Sequence, residues 1–66
     1  MTPDQLREFK IKHKFTNITL GHFLGRDEST VRRYISGEYN IPKVIIELIQ
    51  TYEKLTLAEE KNMNEN

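Results

Sequence analysis

Arg32 and Arg33 stand side by side in a short window that also holds Glu28, Ser29 and Ser36. At one hundred degrees per residue these five fall within roughly 140° of one helix surface, and Val31, Tyr34 and Ile35 fall on the other. A guanidinium can grip guanine O6 and N7 as a fork, a serine hydroxyl can reach a base edge or a phosphate, and a glutamate can accept from cytosine N4. The pattern suits a helix that reads base edges in a major groove, although each residue taken singly also suits the solvated face of an amphipathic helix. Backbone N–H groups at helix starts, from Asn17 onward and from Glu28 onward, offer further sites to phosphate. Tyr39 and Lys43 flank a loop and could hold phosphate as well. Other chemistry is poorly represented. The chain has no cysteine, and His13 and His22 lack the His-x-x-x-His pairing of a zinc site. His13 is expected to close a helix and His22 to lie on a surface. With no Gly-rich phosphate loop and too few residues to enclose a pocket, no enzyme activity, metal, cofactor or small-molecule ligand is expected.

Such a face needs helices to hold it, and their boundaries can be read from local chemistry. Thr2-Pro3-Asp4-Gln5 combines a hydroxyl N-cap, proline at the first helical position and glutamine at the third, a capping box. Leu6, Phe9 and His13 then share a face, and Lys14 follows where that helix stops. Phe15 and Leu20 bracket a second cap at Thr16 as a hydrophobic staple, predicting a short helix from about Asn17 to Leu24. Gly25 tolerates positive φ, Asp27 caps a third helix running to Ser36, and Gly37 supplies a left-handed stop. Residues 38–41 form a loop and Pro42 opens a fourth helix. On that helix Val44, Ile45, Leu48, Ile49, Tyr52 and Leu55 spread over roughly 140° and are expected to face the core, with Ile46 and Leu57 outside the arc.

The chain has 66 residues, 36% hydrophobic and 30% charged, with ten basic residues balancing ten acidic ones. One domain with one small core is expected: residues 1–58 as the folded unit and 59–66 as a polar tail that frays. The zero net charge is a cancellation. Residues 1–36 carry seven Lys or Arg against four Asp or Glu, whereas residues 37–66 carry three against six. A basic front and an acidic back are compatible with a nucleic-acid partner, which the total alone would argue against. No apolar targeting or membrane-spanning stretch is visible, and a cytoplasmic protein is expected.

The run Thr16-Asn17-Ile18-Thr19-Leu20-Gly21-His22-Phe23-Leu24-Gly25, followed by Ser29-Thr30-Val31-Arg32-Arg33-Tyr34-Ile35-Ser36-Gly37 and then Ile41-Pro42, resembles the Cro/C1-type helix–turn–helix family, also called lambda-repressor-like or XRE. The likeness spans roughly residues 2 to 55. It implies an all-α, lambda-repressor-like helix–turn–helix domain of four or five helices. The third would be the recognition helix, with Glu28, Ser29, Arg32 and Arg33 contacting bases. By the same likeness Asn17 and Lys43 would contact phosphate. Four positions depart from the family pattern. Gly21 replaces a usual alanine, and Arg26 stands where an apolar residue is preferred, making the turn more basic and adding a phosphate candidate. Lys14 replaces a common glycine. Lys10 and Ile35 occupy positions where many members pair Arg with Glu, so Lys10 is expected to be free for phosphate and Ile35 to pack.

Taken together, these features predict a sequence-specific regulator of double-stranded DNA, a repressor or autorepressor occupying a palindromic operator as a homodimer. Ile46 and Leu57 are the expected dimer contacts. The alternative is an antitoxin-like or other protein-interaction module acting through the apolar fourth helix.

Overall fold

In the computed structural model the backbone is described for residues 1–64 and the side chains for residues 1–57. Four helices follow one another: α1 (Pro3–Lys12), α2 (Asn17–Leu24), α3 (Glu28–Ser36) and α4 (Lys43–Asn64). The described residues contain no strand.

The first three helices start where a side chain satisfies their free N–H groups. Thr2 and Gln5 form the reciprocal box at α1, and Thr16 with Thr19 forms one at α2, where threonine does the work more often given to glutamate or glutamine. Asp27 caps α3 by accepting from the Thr30 N–H at 3.1 Å and from the Thr30 hydroxyl. The same helices stop at residues in the left-handed region: Lys14 at φ 57°, Gly25 at φ 69° and Gly37 at φ 83°. Behind Lys14 and Gly25 the next residue's N–H reaches back to the carbonyl five positions earlier, Phe15 to Lys10 at 2.9 Å and Arg26 to Gly21 at 2.8 Å. These are Schellman closures. The Pro42 carbonyl accepts from Ile45 and Ile46 and so starts α4.

Helix α3 packs on both α1 and α2. The buried core takes Leu6 and Phe9 from α1, Leu20 and Leu24 from α2, Val31 and Tyr34 from α3, and Ile45 and Ile49 from α4. Phe15, Phe23, Ile35, Ile41 and Tyr52 pack around it, so Ile35 does fill the place expected of it. At the α1–α4 junction Phe9, His13, Phe15, Phe23 and Tyr52 form one aromatic group, with ring centroids as close as 4.8 Å. Glu53 of α4 lies 3.2 Å from both Lys12 Nζ and His13 Nε2 and ties the two helices together. The buried His13 Nε2 makes no well-directed hydrogen bond, although a Glu53 carboxylate oxygen lies 3.2 Å away. Partial burial opposes the charge on Glu53, but Lys12 and His13 outweigh it and hold the carboxyl below the ordinary glutamate range.

Helix α4 corrects one expectation. Its core face is Ile45, Ile49 and Tyr52, whereas Val44, Leu48 and Leu55 are 61%, 38% and 61% exposed. The apolar arc spans two adjacent stripes, and the body of the domain covers only one. The expected polar tail, 59–66, has a helical backbone to Asn64, and its fraying lies outside the described residues.

Candidate nucleic-acid interface

The outer face of α3 is built on a buried one. Val31 is fully buried and Tyr34 nearly so, fixing the helix about its axis, while Glu28, Arg32, Arg33 and Ser36 are exposed and Ser29 is half-buried. Four candidate base contacts, Glu28, Ser29, Arg32 and Arg33, are thus gathered along one helix. Neither arginine is without a neighbour. Arg32 Nε lies 4.0 Å from Glu28 one turn back. Arg33 donates to the Tyr39 hydroxyl at 3.2 Å, its guanidinium carbon lies 5.3 Å from the centre of that ring, and its Nε is 3.7 Å from Glu38. Ser36 is engaged at the end of the helix, donating to the Arg33 carbonyl and accepting from the Glu38 N–H.

The five candidate phosphate contacts separate into pairs and singles. Lys10 Nζ donates to Asn17 Oδ1 at 2.8 Å, so Lys10 is not free as expected but bridges α1 to the first turn of α2. With its oxygen occupied, the Asn17 amide keeps two N–H donors for an outside acceptor. Tyr39 steadies Arg33, and its own O–H remains a donor. Arg26 is exposed and donates to the Gly25 carbonyl at 3.0 Å. Lys43 is exposed on the first turn of α4, 3.9 Å from Glu47.

The two helix starts differ as anion sites. At α3 the Asp27 carboxylate already holds the Thr30 N–H, and Glu28 adds a second negative charge in the first turn. The hydrogen bonds from Thr30, hydroxyl first and N–H second, keep the Asp27 carboxyl below its ordinary range. Phosphate is therefore disfavoured at this start, against the expectation that both helix starts would serve. At α2 the cap is a neutral threonine, no acidic residue occupies the first turn, and Lys10 and Asn17 stand beside it. That start is the better one for phosphate.

Glu38 is the neighbour that sequence reading missed. Its ion pair with Arg33 crosses the end of α3 into the loop, and helix periodicity carries no signal for such a pair. Around α3 the three arginines Arg26, Arg32 and Arg33 are matched by Asp27, Glu28 and Glu38. The face is rich in charge without being strongly positive.

Ile46 is half-buried in an open groove of about 960 Å³ between α1 and α4, with Gln5, Glu8, Lys12 and Gln50. Leu57 is exposed. No helix among the described residues is long and apolar enough to cross a membrane. No family model, no curated protein and no solved structure matches this chain.

Proposed function

We propose that this chain is a cytoplasmic, sequence-specific double-stranded DNA-binding regulator of the Cro/C1 type, which represses by occupying a palindromic operator as a dimer. The observation that carries the reading is the two-sided character of α3. Val31 and Tyr34 lock one side into the core, and Arg32, Arg33 and Glu28 stand exposed on the opposite side beside a half-buried Ser29. In this reading α3 lies in the major groove with the two arginines at guanine edges, and the start of α2 with Asn17 and Lys10 meets the flanking phosphate. Occupancy alone can repress, so an operator is the only partner the mechanism requires beyond a second copy.

Selection of bound duplexes from a random-sequence pool, followed by a salt titration on the winner, tests the proposal. An enriched two-fold motif whose affinity falls steeply with salt is the expected outcome. No enriched motif and a flat salt response would falsify it.

A further inference from the structure

We propose that α4 carries a self-complementary seam, Val44, Leu48, Thr51 and Leu55, through which two copies of this chain pair with their α4 helices antiparallel. The four residues recur at spacings of four, three and four and fall within about 60° of the helix surface. Val44 and Leu55 are each 61% exposed, Leu48 is 38% exposed, and Thr51 is exposed between them. The seam is turned about 110° from the mean direction of the buried pair Ile45 and Ile49, so a second helix can lie along it without displacing the core.

Charge selects the occupant and its direction. Lys43, Glu47 and Lys54 are all exposed on the same flank of the seam; Glu47 lies 3.9 Å from Lys43 in its own helix, and Lys54 follows Glu47 by one heptad. A two-fold axis that pairs antiparallel helices brings like flanks together. With Val44 opposite the second copy's Leu55, and Leu48 opposite its Thr51, Glu47 faces Lys54 and Lys54 faces Glu47. Parallel pairing would instead bring that flank against the one holding Ile45 and Tyr52, which the core has already taken. Ile46 and Leu57 lie about 150–170° from the seam and cannot share this contact. Four positions per copy bury less than a standard stable interface of about 1,200–2,000 Å², so association depends on concentration.

The seam rests on the dimer of the proposed function; its test needs no DNA, so a monomer would remove the two-fold operator but not base reading by α3, which the duplex selection tests separately. Sedimentation of the full chain over a concentration series should show a monomer–dimer equilibrium. Leu48→Glu should weaken it roughly tenfold or more while leaving the thermal midpoint unchanged at dilutions where the parent chain is monomeric, and Ile46→Glu should leave the dimer intact. Glu47→Lys and Lys54→Glu should each weaken the dimer, and the two together should restore it. Because the chain has no cysteine, Val44→Cys with Leu55→Cys should cross-link copies under mild oxidation, whereas Val44→Cys alone should not. A monomer at every concentration, a dimer that survives Leu48→Glu, or efficient cross-linking by Val44→Cys alone would each overturn the proposal.

Discussion

Arg33 meets two loop residues before it meets anything outside the chain. Tyr39 takes a hydrogen bond from its guanidinium and Glu38 sits 3.7 Å from Nε. Exposed ion pairs contribute only about 0–1 kcal/mol, so exchanging this arrangement for a guanine edge costs little. The two residues should therefore respond in opposite directions. Arg33→Ala should lose on the order of 1–3 kcal/mol on the preferred duplex. Glu38→Gln should instead tighten binding to all duplexes a few-fold and steepen the salt dependence, because it removes a charge that phosphate must oppose. Fluorescence anisotropy at several salt concentrations reads both effects. The arginines were legible in the sequence because helical spacing puts them on one face. Glu38 and the Lys10–Asn17 bond were not, since they join separate elements and depend on how loops close.

At the scale of elements, most boundaries were legible because capping is local chemistry. Thr2, Thr16 and Asp27 each announce a helix within three residues of themselves, and Gly25 and Gly37 announce a stop. Helix α4 was legible as a helix but not in its orientation. Val44 and Leu48 are as apolar as Ile45 and Ile49, and periodicity cannot say which of two neighbouring stripes the body will cover. Gly21 shows a different limit. By helix propensity alanine there should stabilise α2 by about 1 kcal/mol. In the structure a Cβ at Gly21 would stand 2.5 Å from the Arg26 carbonyl oxygen, and backbone atoms would have to move. Gly21→Ala should therefore destabilise the domain, by about 1–3 kcal/mol as for other overpacked sites. Lys14→Gly should act in the opposite sense, since Lys14 holds φ 57° and glycine removes the steric cost of that region. Urea denaturation of the two variants separates close approach from propensity.

For the molecule as a whole, stability rests on one core and a few ties between its helices. The Glu53 carboxyl titrates below its ordinary value of 4.5 in the folded state. Its contribution is fully present above the unfolded pKa and is lost as the pH falls through the lower folded value. Glu53→Gln should thus lower stability near neutrality and flatten the acid side of the stability curve, measured by denaturation between pH 7 and pH 3. An all-helical, four-helix architecture followed from the sequence, whereas the charge balance around α3 depends on how the loop after it folds back. The zero net charge extends to the candidate interface itself, where Arg26, Arg32 and Arg33 meet Asp27, Glu28 and Glu38. Such a face should bind indifferent DNA weakly and depend on geometry for its preferred site.

Helix α4 is continuous in backbone but uneven in what anchors it. Between residues 43 and 57 its buried side chains are Ile45 and Ile49, Tyr52 is partly covered, and Leu55 and Leu57 are exposed. Local opening that starts on the Leu57 side breaks helical hydrogen bonds without uncovering core until it reaches Tyr52. Opening that includes Ile49 must dismantle the packing of the whole domain. The free energy of opening therefore rises along a single helix, and amide exchange should slow from Leu57 toward Ile45. Any surface that covers Leu48 and Leu55 would flatten this gradient, making association and the local folding of α4 one coupled equilibrium.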